Sequence, residues 1–373
     1  MFRKKSIALL TLMLAFTLTA IGCSKNNSDN ESANNQAEPV SVSNENTIKI
    51  ENAVDKAESS EENAVSDDGR EIAENNEDMH KYEAFLNNEE PLYFTWFINS
   101  GNSELLNWEY DTVSRYFKAD TAYTLSDFVS TCSEVMTEDW GEDTKPQDFA
   151  YGYMDCGADG NKELVITLKE ECPGQFLYDD MWIVKNIDDK LQVIFYMQYG
   201  YRSSLSMNEY GYCYYGGSNG AASHMDEYYY LDADGKLNYV YGMEDNYGIW
   251  SIYAPDNDDL MQLGEELHID ESIEALQYHF DKYRDTDDYS EYFKSSMWLY
   301  YKIDENYERI SDTSIYEEGS DFKTYWDATG FPLNTEEEID AAIKNRESGF
   351  GINEKIKSGK EIELNNFEIP AIN

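Results

Sequence analysis

The residues best placed to do chemistry lie in one acidic segment, Asp155-Cys-Gly-Ala-Asp159-Gly160-Asn161-Lys-Glu163. Its carboxylates fall at the first, fifth and ninth positions, and Gly160 stands at the sixth, where a tight calcium loop turns sharply. Calcium binds hard oxygen ligands, about six to eight of them. Asp155, Asp159 and Glu163 offer side-chain oxygens and Asn161 offers a carbonyl. The spacing therefore predicts a weak Ca²⁺ site at these four residues.

The segment differs from an EF-hand, because its twelfth position is Ile166 where a bidentate Glu is needed. The flanks 149–153 and 164–168 alternate apolar and other residues with the period of two that is typical of strands. The pattern resembles the loops between strands in FG-GAP-like and related extracellular calcium modules, although Gly157 offers no side chain at the third position. The competing interpretation, which the sequence favours over the metal site, is a hairpin turn whose carboxylates accept hydrogen bonds from backbone N–H groups.

A second motif, Gly216-Gly-Ser218-Asn-Gly220, has the spacing of the nucleophile elbow of α/β-hydrolases. That elbow needs a strand before it, a helix after it and a downstream His. The following segment is short and runs into a Tyr-rich strand, so the pattern favours a hairpin loop. The four histidines show no zinc-binding spacing and the cysteines lack C-x-x-C. Since 75 of 373 residues are acidic, no pair of carboxylates can be singled out as a glycosidase acid pair.

The N-terminus predicts where the protein resides. A basic start is followed by the apolar run 7–18, which is too short to span a membrane. The run ends in Ala20-Ile21-Gly22-Cys23, which resembles the lipobox of bacterial lipoproteins. The resemblance implies that 1–22 is a signal peptide and that Cys23 carries fatty acyl chains such as palmitate. The alternative is an ordinary signal peptide without lipid. The expected location is the outer face of the cytoplasmic membrane, with the lipid anchor as the only membrane contact.

The charge and composition of the chain limit the classes of partner that it is expected to bind. The net charge of −47 repels nucleic acid and anionic membrane surfaces, so neither is an expected partner. Residues 23–78 are rich in Asn, Ser and Glu and are predicted to be a disordered acidic linker, because they bury too little apolar surface to offset their ordering entropy.

The four cysteines beyond the lipobox allow two disulfides in three connectivities, or free thiols. Strand geometry separates Cys156 from Cys172 by about 23 Å, which argues against a bond between those two. We expect free thiols. Cys132, on an apolar helical stripe, is expected to be a small buried side chain.

Periodicity indicates an α+β fold, with an antiparallel β-meander sheet flanked by N- and C-terminal helices. A single domain is predicted over 79–348, followed by a tail over 349–373. The expected helices follow Asp78 and Thr124 and cover 258–267, 271–284 and 335–347. The expected strands, beyond the two beside the acidic turn, cover 181–185, 191–199, 211–215, 227–231, 237–242, 248–253 and 297–303.

Three segments together resemble a group of uncharacterised surface lipoproteins of clostridial Gram-positive bacteria. They are Tyr82-Glu-Ala-Phe-Leu86, the Tyr-rich strand with its acidic turn over 151–164, and Tyr215-Gly-Gly-Ser-x-Gly-Ala221. The resemblance covers 79–348 and implies no activity. The expected function is a non-catalytic surface binding or interaction module with an unknown surface or wall ligand. The alternative is a cell-wall-associated hydrolase of glycan or peptide. A transporter's ligand receptor would need two α/β lobes, which the strand order does not indicate.

Overall fold

The computed structural model describes residues 68–100, 102, 105–140, 145–172, 176–200, 202–218, 223–247, 258–269, 273–282, 289–311 and 313–368. All of them belong to one compact unit, Val65–Asn373. The predicted signal peptide, Cys23 and most of the predicted linker lie outside the described residues, as does the strand expected over 248–253. None of the described helices is both long and apolar enough to cross a membrane.

Four helices and one short strand open the described chain: α1 (Asp68–Leu86), β1 (Leu92–Tyr93), α2 (Thr95–Asn99), α3 (Asn107–Tyr116) and α4 (Leu125–Trp140). The apolar stripe predicted for α4 is confirmed, since Leu125, Phe128, Val129, Cys132 and Met136 are all buried. Its first turn is capped reciprocally, because Thr124 Oγ1 accepts from the Asp127 N–H while an Asp127 oxygen accepts from the Thr124 N–H.

The first sheet contains the predicted acidic hairpin. Its long strands are β2 (Lys145–Met154), β3 (Glu163–Cys172), β4 (Phe176–Ile187) and β5 (Lys190–Gly200), paired antiparallel in chain order. The predicted hairpin β2–β3 is confirmed, as are the strands predicted over 181–185 and 191–199. The order is β1-β5-β4-β3-β2-β13, with β13 (Asn365–Phe367) at one edge and β1 parallel to β5 at the other.

The second sheet has the order β12-β11-β10-β9-β8-β7-β6 and is antiparallel throughout. Its strands are β6 (Ser203–Met207), β7 (Tyr212–Ser218), β8 (Ser223–Leu231), β9 (Leu237–Tyr247), β10 (Ile273–His279), β11 (Met297–Ile303) and β12 (Arg309–Ile310). The α+β class is therefore confirmed, but the single predicted meander is two sheets. The chain passes from one sheet to the other between β5 and β6.

One predicted helix is wrong. The segment 271–284 places apolar residues at helical spacing and is rich in helix-forming residues, yet 273–279 forms β10 between β9 and β11. The strand is buried on both faces: Ile273 and Ala275 contact one apolar cluster, while Leu276 contacts another. Burial on two faces removes the alternation by which a strand is recognised in sequence, so the helical spacing was coincidental.

The later helices are α5 (Asp258–Glu266), α6 (Tyr289–Ser295), α7 (Asp321–Thr329), α8 (Glu336–Gly349) and α9 (Glu354–Lys357). The predicted capping box of α8 is confirmed at Thr335 and Glu338. The segment predicted as a tail contributes α9, the bridge between Asn208 and Glu361, and β13. This segment can approach β2 closely because residue 152 is a glycine. A Cβ at Gly152 would lie 2.5 Å from the Glu363 carbonyl oxygen.

The largest apolar cluster joins the N-terminal helices to the first sheet and continues into the second. Trp182 of β4 packs against Phe94, Phe117 and Phe128, and stacks on Tyr196 of β5 at 3.8 Å. Buried Asn102 ties the two sheets together, because its Nδ2 donates to the Ile194 carbonyl of β5 and its Oδ1 accepts from the Leu237 N–H of β9. These contacts hold the two sheets in a defined arrangement.

Candidate functional site

The predicted calcium segment forms the turn between β2 and β3, stabilised by its own side chains. Asp155 Oδ1 accepts a hydrogen bond from the Gly160 N–H at 2.9 Å. Asp159 accepts from the backbone N–H of Asn161 at 2.8 Å and from its side-chain amide at 3.3 Å. Gly157 has φ +77°, and a Cβ there would lie 2.7 Å from Ala233. The turn therefore docks against the loop between β8 and β9.

Glu163 faces inward from this turn. It is fully buried, and its carboxylate accepts from the Cys156 N–H at 2.8 Å and pairs with Lys185 Nζ. Burial raises the pKa of Glu163, while Lys185 opposes the rise by favouring the charged form. The carboxylate is thus held by a resident cation.

Within the described ranges no three His, Cys, Asp or Glu side chains converge as a metal site would require. The four predicted ligands each have protein partners or turn roles, which is the arrangement of the competing turn interpretation. The calcium site at Asp155, Asp159, Asn161 and Glu163 stays a prediction.

The thiols and the G-x-S-x-G motif also have positions in the structure. Cys156 and Cys213 are buried free thiols, and burial raises the pKa of each; the side chain of Cys172 lies outside the described residues. Ser218 ends β7, which pairs with β8 in a hairpin beginning again at Ser223. Its Oγ accepts from Arg202 Nη2 at 3.1 Å. A hairpin leaves no room for the helix of a nucleophile elbow.

A buried polar cluster occupies the middle of the second sheet, and we call it the His279 cluster: Glu227, Tyr229, Tyr239, His279 and Lys282. His279 Nδ1 lies 2.7 Å from the Tyr239 hydroxyl, and its Nε2 is buried with no hydrogen-bond partner among the described residues. Burial lowers the pKa of His279 to about 4. The ring lies over Gly242, where a Cβ would stand 2.2 Å from His279 Cε1.

A carboxylate and an amine form the other half of this cluster. Buried Glu227 accepts from the Tyr229 hydroxyl at 2.6 Å and from Lys282 Nζ at 3.2 Å. Lys282 also donates to the Tyr229 hydroxyl and lies 5.1 Å from that ring's centroid. The negative charge of Glu227 is therefore compensated locally.

Beside the cluster a cleft of about 230 Å³ opens where the two sheets meet. It is lined by α3, by the strands β4 and β5, and by β6 and β7, through Glu109, Tyr178, Gln198, Tyr199, Ser203 and Tyr215. Three phenol rings, an amide, a hydroxyl and a carboxylate thus converge on one small volume. Such a combination of aromatic walls with a few polar groups is typical of small-ligand sites.

Carboxyl groups act on two of the tyrosines that line the cleft. Burial raises the pKa of Tyr199 to about 12, and the neighbouring carboxylates Asp179 and Asp180 add to the rise. The pKa of Tyr215 is also raised by burial, with contributions from Glu109 and Glu227. Burial raises the pKa of Glu109 itself, and Glu227 reinforces the rise. A hydrogen bond from the Glu109 backbone N–H and the nearby Lys282 oppose it.

A larger depression of about 590 Å³ lies along α2 and the turn between β4 and β5, and several of its polar groups already have partners. Thr95 and Asp120 bond each other, and Gln192 accepts from the Trp96 N–H at 3.1 Å. Lys190 lies 5.1 Å from the centroid of the Tyr93 ring. The smaller cleft has three tyrosines in its lining where the larger depression has one aromatic residue, so the smaller cleft is the better candidate ligand site.

Sequence reasoning did not find the cleft or the His279 cluster. Glu109 belongs to α3, which was not predicted, and His279 belongs to the strand that was predicted as a helix. The one available signal was the density of tyrosines over 196–241. Comparisons with protein-family models, curated proteins and solved structures returned no match to this chain.

Proposed function

We propose that this protein is a lipid-anchored extracytoplasmic module that binds a surface or wall ligand without chemical turnover. The observation that carries the proposal is the cleft at the meeting of the two sheets. Among the described residues its lining includes one carboxylate, that of Glu109. Hydrolysis by an acid pair needs two carboxylates facing one substrate, whereas binding needs only the aromatic walls and converging polar groups.

The anchor rests on the sequence. The lipobox ending at Cys23, the acidic linker behind it and the resemblance to clostridial surface lipoproteins all support attachment to the outer face of the membrane. On this proposal the linker tethers a domain in which N- and C-terminal helices flank the sheets. A like-charged tether is extended by self-repulsion, which would place the cleft within the wall.

One observation favours the alternative of a wall hydrolase. Glu227 lies close enough to Glu109 to raise the pKa of its carboxyl, and Lys282 keeps Glu227 in a charged environment. Two carboxyl groups in contrasting environments are the arrangement of a general acid beside a charged partner. Glu227 is buried and does not line the cleft, so binding is the better-supported function.

The experiment is co-sedimentation of the full mature chain with insoluble cell walls, with assay of the supernatant for released sugars and peptides. We expect the wild type to sediment, and Tyr199→Ala to lose binding about tenfold through loss of an aromatic contact. Tyr307→Ala is the control, because that residue is 68% exposed and does not line the cleft. Release of products that depends on Glu109 would establish the hydrolase instead. Equal sedimentation of both variants would overturn the proposal.

For the central turn we propose a structural role, with calcium binding tested against it. Thermal unfolding of the full chain in EDTA and in about 5 mM calcium separates the two. A bound ion should raise the stability by roughly 1–2 kcal/mol at several times its dissociation constant. That rise should vanish in the variant Asp155→Ala/Asp159→Ala. A wild type that ignores calcium would leave the turn with its hydrogen-bonding role alone.

A further inference from the structure

We propose that the ligand of the cleft between the sheets carries an organic cation, an alkylammonium group held against Tyr178, Tyr199 and Tyr215 and paired with Glu109. This inference rests on the proposed binding function and deepens it by naming the ligand class. It follows from three features of the cleft: a carboxylate without an ion pair among the described residues, an aromatic wall, and carboxyl groups that act on that wall.

The carboxylate comes first. Glu109 forms no ion pair with any of the described residues, and the cation that acts on its carboxyl is Lys282. That amine is already bonded to Glu227 and to the Tyr229 hydroxyl. Glu109 is half-buried in the cleft wall. Its carboxyl accepts a hydrogen bond from its own backbone N–H but has no cation paired with it among the described residues. Burying a carboxylate without a counter-charge is costly, and an incoming cation offsets that cost in a way that a neutral ligand does not.

The walls suit the same ligand. The face of a phenol ring attracts a cation within about 6 Å of its centroid, and the attraction grows when the site excludes water. Three tyrosines line a volume of about 230 Å³, which is smaller than the usual site for a drug-sized molecule. A single substituted ammonium group with a short chain matches this size.

The charged groups that act on two of the wall tyrosines are carboxyls. Tyr199 is influenced by Asp179 and Asp180 on the side of the first sheet. Tyr215 is influenced by Glu109 and Glu227 on the side of the second. Glu227 is paired with Lys282, so the carboxyls that favour a cation in the cleft are those of Asp179, Asp180 and Glu109. The field of these carboxyls also raises the rate at which a cationic ligand arrives.

The test uses two pairs of probes that match in shape and differ in charge. Choline chloride is compared with 3,3-dimethylbutan-1-ol, and n-butylammonium chloride with butan-1-ol, by NMR titration of the full mature chain. We expect each cation to bind at least about tenfold more tightly than its neutral partner. Glu109→Gln should reduce that preference, while Asp111→Asn, an exposed carboxylate on the same helix, should not.

Tyr199→Leu is a second variant, in case Glu109→Gln fails to fold. It should weaken both cations and leave the fold intact by circular dichroism. Equal affinity for the charged and neutral probes would overturn the cation and leave the binding cleft standing. If none of the four probes binds while wall sedimentation is still sensitive to Tyr199→Ala, the cationic ligand is refuted and the binding function is kept. If no probe binds and wall sedimentation is also insensitive to Tyr199→Ala, the binding function itself is overturned.

Discussion

Lowering the pH from 7 to 5 should destabilise the protein through His279. Burial lowers the pKa of this imidazole to about 4 and Lys282 contributes to the lowering, against the opposing effects of Glu227 and the backbone at Asp281. In the unfolded chain the pKa returns to 6.5. The unfolded state therefore takes up the proton first as the pH falls, so the stabilisation present above pH 6.5 is lost toward pH 4.

The magnitude follows from those two pKa values. A group that titrates near 6.5 when unfolded and near 4 when folded removes roughly 2 kcal/mol of stability between pH 7 and pH 5. The loss approaches about 3 kcal/mol at lower pH. Carboxyl groups with raised pKa, including Glu109, Glu163 and Glu244, oppose it, because the folded state binds their protons more readily. The contribution of His279 must therefore be isolated by difference.

The assay is urea unfolding of the wild type and of His279→Gln across pH 5–7. The groups that face the ring are Tyr239 from β9, Glu227 from β8, Tyr292 from α6 and Lys282 after β10. All of them are retained in the variant, so only the imidazole titration is removed. Between pH 7 and pH 5 the unfolding free energy of the wild type should therefore fall by roughly 2 kcal/mol more than that of the variant. His224→Gln, an exposed histidine on β8, should leave the wild-type slope unchanged. Parallel curves for wild type and His279→Gln would refute the buried neutral imidazole.

Two further variants test packing and charge. Gly242→Ala should cost about 1–3 kcal/mol of unfolding free energy, because the new methyl group would displace the His279 ring and the Tyr239 hydroxyl. Gly217→Ala should be near neutral in the same urea titration, because the atom nearest to a Cβ at that residue is the Arg202 carbonyl oxygen at 3.6 Å. Lys185→Met should cost about 3–5 kcal/mol at pH 7 by leaving Glu163 buried without its cation, and less at low pH where Glu163 can be protonated. Lys294→Met breaks an exposed pair with Glu291 and should cost less than about 1 kcal/mol in thermal unfolding. Equal losses within either pair would contradict these packing and charge assignments.

The features predicted correctly from sequence are those encoded locally. The hairpin β2–β3 joins adjacent segments across a turn of Asp, Gly and Asn, and the helix α4 carries an apolar stripe with a capping residue at its start. Each of these signals lies within about twenty residues and agrees with the final packing, which is the condition under which local patterns are reliable.

The features that were missed depend on distant partners. The strand β1 is only two residues long and is defined by its parallel pairing with β5. The strand β13 is likewise defined by its pairing with β2. Neither has the length that makes a strand recognisable alone. The division into two sheets occurs between β5 and β6, where the sequence still has the appearance of one continuous meander.

The candidate site could not be predicted from the sequence either, because its residues come from distant parts of the chain. Glu109 and Tyr215 reach the cleft from α3 and β7, and Tyr178 and Tyr199 reach it from β4 and β5. Acidic and tyrosine residues are so frequent in this chain that their types single out none of them. What distinguishes Glu109 from the other carboxylates is its place on a half-buried aromatic wall without an ion pair from the described residues. That property arises only when the two sheets meet, and it is the reason that a cation is the ligand this surface favours.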